Sequence, residues 1–262
     1  MIRLQGVQKY FHRGSVNEVH ALRGIDLEIE AGDFVTVIGS NGSGKSTLLN
    51  AIAGTFLPDS GQIEISGQEV TTWPEHKRAR FVARVFQDPL LGTCPSASIE
   101  QNMALAFKRG MRRGLGPGVK RRDRERFRTE LTQLDLGLED RLADRVGLLS
   151  GGQRQALTMV MATLVRPEVL LLDEHTAALD PKTAAQILNL THTIVREQQL
   201  TAMMITHNMK HAIAFGNRLI MLHQGRIILD VRDKAGLTVD SLLQRFYESQ
   251  GEELSMDSML LA

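Results

Sequence analysis

Cysteine is almost missing: the 262 residues hold one, Cys94. A disulfide within the chain is therefore impossible, and a reducing compartment is the natural setting. Aromatics are scarce too, at 5% with one tryptophan and two tyrosines, so few rings could stack on a planar ligand. No charge sign dominates. The formal net charge is +1, and whole-molecule electrostatics do not point to nucleic acid. No apolar run approaches the roughly 20 residues that cross a bilayer; VLLL at Val169–Leu172 is of strand length. The opening MIRLQGVQKYFHRG scatters charges and lacks an apolar core, so no signal peptide is expected. A role at a membrane would therefore run through partners. Hydrophobic residues make up 42%, enough for a sizeable core.

Alternation in IRLQGV and in IDLEIEAGD predicts strands, and FVTVIG predicts a buried strand ending at Gly39. Lys45–Ala53 reads as a helix stopped by Gly54. QIEISGQEV predicts a hairpin turned at Gly67, and VARVFQ a further strand. From about Ile99 to Leu164 the periodicity is helical, interrupted by a basic, glycine-bearing stretch at Arg109–Val119. VLLLDE, LTAMMITH and RLIMLH read as strands again, with a helix from Pro181 to about Gln198 and a turn at Gly225. The expectation is an α/β core with a largely parallel sheet and an antiparallel part, interrupted by an inserted helical subdomain.

The stretch GSNGSGKST fits G-x-x-x-x-G-K-[ST]. Glycines at 42 and 44 let backbone N–H groups close round an oxyanion, and the following helix adds the positive end of its dipole. The whole loop, Gly39, Ser40, Asn41, Gly42, Ser43 and Gly44, is the expected phosphate cradle. Lys45 would bridge the β- and γ-phosphates, Ser46 would hold Mg²⁺ and Thr47 would reach the α-phosphate. The plain alternative is a glycine-rich turn before a helix; the strand on one side and helix on the other favour the nucleotide. Either Tyr10 or Phe11 could stack on the base. In VLLLDE, Asp173 and Glu174 stand at a buried strand's carboxyl end, where ligands bind in open parallel sheets. Asp173 could hold the metal through a water, and Glu174 could take a proton from an attacking water. The plain alternative is a carboxylate pair favouring a helix N-terminus.

LLSGGQRQALTMVMATL supplies a second anion-binding helix end, with Ser150 as N-cap and Gly151 and Gly152 baring the first N–H groups. Leu157, Val160, Met161 and Leu164 give that helix a buried face. One nucleotide has one γ-phosphate, so the economical arrangement is a head-to-tail pair of identical chains, each supplying one loop.

At this point the chain resembles the ATP-binding subunits of ABC transporters, in motif order and spacing, from about residue 2 to residue 230. GSNGSGKST looks like Walker A, LSGGQ like the ABC signature, LLLDE like Walker B, VFQDP like the Q-loop, ALD like the D-loop and MITHNM like the switch segment. The resemblance implies a P-loop NTPase core (about 1–87 and 166–235) with the helical subdomain at about 88–165, forming one ATPase domain over 1–235, then a short helix and tail over 236–262. It implies that Gln87 senses Mg²⁺ and the attacking water. It implies that Ser150, Gly151, Gly152 and Gln153 meet the nucleotide across the dimer, that Asp180 crosses the interface, and that His207 holds the γ-phosphate. Phe11 matches the family's base-stacking position better than Tyr10. Each has a plainer reading: Gln87 a polar strand end, Asp180 an N-cap before Pro181, His207 a loop histidine.

The implied activity is Mg²⁺-dependent ATP hydrolysis that drives two transmembrane permease subunits from the cytoplasmic face of the membrane. An extracytoplasmic solute-binding protein is the further implied partner, and nucleic acid is not one. Import of amino acids, notably aromatic ones, is what the whole-chain pattern resembles most; an ABC exporter or a non-transport ABC ATPase is the alternative. A P-loop kinase is the rival from another class, and LSGGQ argues against it. The C-terminal regulatory domain of some importers is not expected.

Two features depart from the family. His175 stands where proline is usual after Walker B, and an extra imidazole there could add pH sensitivity. LGTCPSAS is atypical in the segment expected to meet the membrane subunit. The basic stretch Lys108–Arg128 reads as a solvated loop entering a helix at about Arg121, with attraction to anionic headgroups as the alternative. Only Phe127 is interleaved among its charges, which disfavours nucleic acid.

Overall fold

Strand β3 (Phe34–Ile38) is buried along its whole length, as suits a strand covered on both faces. It sits inside a six-stranded sheet with β6 (Val82–Val85), β7 (Val169–Asp173), β8 (Thr201–Ile205), β9 (Arg218–His223) and β10 (Arg226–Val231). The order is β10-β9-β3-β8-β7-β6. All neighbours run parallel except the β9–β10 hairpin, which turns at Gln224 and Gly225. The structure, a computed structural model, describes residues 1–111 and 118–248. Part of the basic stretch (112–117) and the end of the C-terminal tail (249–262) lie outside the described residues.

A second, antiparallel sheet has the order β2-β1-β4-β5, built from β1 (Ile2–Phe11), β2 (Val19–Ile29), β4 (Ser60–Ile65) and β5 (Gln68–Glu69). Alternation turns Ile2, Leu4, Ile25, Ile29, Ile63 and Ile65 inward. Helix α1 (Lys45–Ala53) shares one apolar cluster with both sheets, and Leu48, Leu49 and Ile52 are fully buried in it. Each such side chain is worth about 1.5–3 kcal/mol. The helix is thereby fixed, and with it the loop at its N-terminus. Gly54 ends it in the left-handed region.

The opposite face of the large sheet is covered by α5 (Gly151–Thr163) and α6 (Pro181–Glu197), through Met159, Leu188 and Val195. Helices α3 (Ile99–Phe107) and α4 (Arg121–Thr132) pack with α5 around the fully buried Phe127. The predicted α/β core with a helical insertion is what the chain forms. Two short helices, α2 (Glu75–Arg78) and α7 (Met209–Ala214), follow β5 and β8. A final helical run over 239–248 sets Leu242 against Ala212 and Leu219. Among the described residues no helix is long and apolar enough to cross a membrane.

Candidate functional site

The loop between β3 and α1 is glycine-built for steric reasons. A Cβ on Gly39 would lie 2.2 Å from the Leu222 carbonyl oxygen and 2.7 Å from Ser43 Oγ. At Gly44, with φ of 100°, it would lie 2.7 Å from the Ala21 carbonyl oxygen. Ser40, Asn41 and Gly42 form the open rim, while Ser43 is buried and its Oγ has no partner. Lys45 opens α1 almost fully buried, and its Nζ donates to Gly39 O (2.9 Å) and Ser40 O (2.8 Å). Burial lowers its pKa, opposed by the charges of Glu174 and Asp173. Ser46 is exposed on the first turn and Thr47 half-buried beside it.

Asp173 closes β7. Its Oδ1 accepts from Ser46 Oγ at 3.4 Å, and its Oδ2 accepts from Arg84 Nη2 at 2.6 Å. Glu174 takes a left-handed φ of 45°, and its N–H donates to Ile205 O at 3.2 Å. Its Oε2 lies 3.5 Å from His207 Nδ1. The β7–β8 register, which pairs Asp173 with Ile205, makes this meeting possible. Gln87 is exposed just past β6; the Val85–Leu172 pairing carries it level with Glu174. Among the described residues it makes no hydrogen bond to that group.

The upstream aromatics divide as follows. Tyr10 stacks on His20, with centroids 3.9 Å apart and planes 13° apart, and Arg13 lies over its ring. Phe11 meets Phe56 edge-on at 5.4 Å. It pairs with Val19, on the strand whose Ala21 carbonyl touches Gly44, so it ends β1 on the cradle's side of that sheet.

The end of α5 forms a separate group. Ser150 Oγ accepts from Gln153 N–H and Gln153 Oε1 from Ser150 N–H, both at 3.2 Å. A Cβ on Gly152 would lie 2.4 Å from Thr183 Cγ2, and one on Gly151 3.5 Å from Leu179 Cδ2. Asp180 caps α6 through Thr183 N–H at 3.1 Å, and Thr183's hydrogen bonds lower its pKa. Among the described residues no hydrogen bond of Ser150 or Gln153 reaches the loop at 39–44. One chain therefore brings the cradle together with Asp173, Glu174 and His207, while Ser150, Gly151, Gly152 and Asp180 make their contacts with one another and with α6.

One expectation is corrected. His175 is 2% exposed, and burial pushes its pKa down to about 4. Thr191 Oγ1 donates its single proton to Ile187 O (2.8 Å), so it accepts from His175 Nε2–H at 3.0 Å. The imidazole is a neutral packing group and stays uncharged where a physiological pH switch would operate.

Arg84 was not singled out from the sequence. The visible signal was a charge inside the apolar strand VARVFQ. Its Nη1 donates to Asn50 Oδ1 on α1 at 2.5 Å while Nη2 holds Asp173.

No group of three or more His, Cys, Asp or Glu among the described residues could cage a metal. The donors present are one hydroxyl, Ser46, and one carboxylate, Asp173, beside a glycine-built loop with an unpaired buried hydroxyl. That set fits Mg²⁺, which keeps waters and completes its shell with substrate phosphates.

A family profile described as ABC transporter matches residues 22–177. The chain is 45% identical over 250 residues to the tyrosine transport ATP-binding protein of Clostridioides difficile, covering 94% of this chain and 98% of that one. It is 36% identical over 242 residues to a lipoprotein-releasing system ATP-binding protein of Caulobacter vibrioides, covering 91% and 99%. A solved dimeric ATP-binding cassette in a post-hydrolysis state, bound to ADP and Pi, superposes with a TM-score of 0.76 at 28% identity, covering 88% and 98%.

Proposed function

The chain belongs to the ABC transporter family, as one of its ATP-hydrolysing cassettes, and from that premise we propose that two copies sandwich two Mg-ATP and drive a pair of membrane subunits. The observation that carries the reading is the convergence of Lys45, Ser46, Asp173, Glu174 and His207 on one glycine cradle. Residues 1–235 act as one ATPase domain, with the helical part at 88–165 inserted.

Lys45, now spent on two loop carbonyls, turns its ammonium to the β- and γ-phosphates when they arrive. Phe11 stacks on the adenine. Thr47 and the backbone N–H groups of residues 40–44 hold the remaining phosphate oxygens. Ser46 and Asp173, with Gln87 nearby, would hold the Mg²⁺, which would offset charge on the phosphate oxygens. Glu174 accepts a proton from water as the water oxygen attacks the γ-phosphorus and the bond to the β-phosphate oxygen breaks. His207 steadies the Glu174 carboxylate and the γ-phosphate. Ser150, Gly151, Gly152 and Gln153 of the second copy close the site, and Asp180 crosses between copies. That no hydrogen bond ties Ser150 or Gln153 to the cradle among the described residues of one chain supports this.

Closing and reopening of the pair works the permease. The tyrosine transport relative supports an amino acid as the transported solute; import, with a solute-binding protein outside the membrane, is the direction we propose. The lipoprotein-releasing relative favours a second reading, in which the same engine serves a transporter that does not import.

Glu174→Gln tests the scheme. Hydrolysis should fall at least about 100-fold, the lower range for general-base catalysis, while ATP-dependent dimers accumulate in gel filtration. A variant that hydrolyses ATP normally as a monomer defeats it.

A further inference from the structure

We propose that Arg84 is a positioning residue that assigns the two oxygens of Asp173 different tasks and thereby sets how readily the site takes Mg²⁺. This rests on the reading of Asp173 as the metal's carboxylate. The Arg84 guanidinium is a fork between two elements. One arm holds Asp173 Oδ2 at 2.6 Å, and the other holds Asn50 Oδ1 on α1 at 2.5 Å. Both charged side chains are largely withdrawn from water, at 13% and 15% exposure. Two N–H donors fixed in one plane, each taken by a different element, set direction as well as distance. The Arg84 Cζ lies over the Phe86 ring, 4.6 Å from the centroid, which adds a packing contact to the guanidinium.

With Oδ2 engaged, Oδ1 is the oxygen left facing Ser46 Oγ at 3.4 Å, the hydroxyl that with it would hold the metal. Without Arg84, the carboxylate could rotate about its Cβ–Cγ bond or turn toward the buried Lys45 ammonium, whose pKa already registers the charge of Asp173. Asn50 extends the effect. It ties the carboxylate to the helix that carries Lys45 and Ser46, so cradle and strand end move as one piece. Groups that orient a metal ligand in this way commonly change metal affinity by about 10–100-fold when removed.

The test uses the full-length protein and two readouts. One is the free Mg²⁺ concentration that half-saturates ATPase activity. The other is binding of a fluorescent ATP analogue in EDTA and then with added Mg²⁺. Arg84→Met should raise the half-saturating Mg²⁺ about tenfold and weaken Mg²⁺-enhanced binding equally, with metal-free binding within about twofold of wild type. Arg84→Lys keeps charge but loses the fork, and should fall between. If Arg84→Met does not fold, Asn50→Leu, which frees one arm, should shift the Mg²⁺ response in the same direction. An unchanged Mg²⁺ response, or a loss of metal-free binding that accounts for the whole effect, overturns the proposal. Asp173→Asn separates the two levels. If it leaves the Mg²⁺ response unchanged, the reading of Asp173 itself fails; if it shifts the response while the Arg84 variants do not, only the role of Arg84 fails.

Discussion

His175 is kept neutral by its surroundings, and the consequence lies in stability. Its pKa is pushed from 6.5 down to about 4 by burial. The unfolded chain therefore binds the proton more readily than the folded one. Stability from this group is fully present above pH 6.5 and drains away as pH falls toward 4. Between pH 7 and pH 5 the loss amounts to about 2 kcal/mol. Urea unfolding at the two pH values should show it, and His175→Gln should remove that share of the slope. The ATPase pH profile between 6 and 8 should be the same in both proteins; an acid limb that moves with the substitution would contradict the burial argument. The sequence announced an imidazole beside two site carboxylates but not its depth. Depth depends on α6 folding back over the segment, and the Thr191 that receives its N–H sits in the middle of that helix.

The helix α1 is the element on which the site hangs, and its two ends differ in how far they can be read from the sequence. The N-terminal end is local. Glycine spacing, Lys45 and the preceding strand lie within one short stretch, so the pattern carried the geometry. Ser150 and Asp180 were legible for the same reason, since caps act over three residues. The C-terminal end is held from afar. Arg78 is fully buried and donates to Ala51 O (2.6 Å), Ile52 O (3.0 Å), Thr71 O (3.0 Å) and Trp73 O (3.0 Å). Burial lowers its pKa to about 10, so it remains a cation at the negative end of the helix dipole. Nothing in EHKRAR distinguishes this arginine from its exposed neighbours, just as nothing in VARVFQ says which carboxylate Arg84 will meet. Those pairings depend on strand register and helix placement. Arg78→Met strands several buried carbonyls and should cost about 3 kcal/mol or more, read as a lower urea midpoint at unchanged slope. Arg78→Lys should recover less than half of that, because an ammonium cannot span the same acceptors. Full recovery by lysine would mean that charge alone matters there.

At the scale of the whole molecule, the proposed function gives each chain two halves of a site that a second copy completes. The cradle with Asp173 and Glu174 would be one half; Ser150 to Gly152, braced on Leu179 and Thr183, would be the other. In a two-fold dimer the same two surfaces meet twice. A copy damaged in its cradle and a copy damaged at its α5 end therefore concentrate both defects in one composite site and leave the other intact. Lys45→Ala and Ser150→Arg proteins should each be inactive alone. Mixed in equal amounts, half of the dimers would be hybrids with one sound site each, so ATPase activity should return to at most about a quarter of wild type. Occlusion of one nucleotide per hybrid pair would be the companion signal if turnover needs both sites. A site contained in a single chain allows no such rescue, since every chain in the mixture would still carry its own defect. Hybrid pairs, present by cross-linking, that neither hydrolyse ATP above the level of the separate variants nor occlude a nucleotide would exclude the shared site.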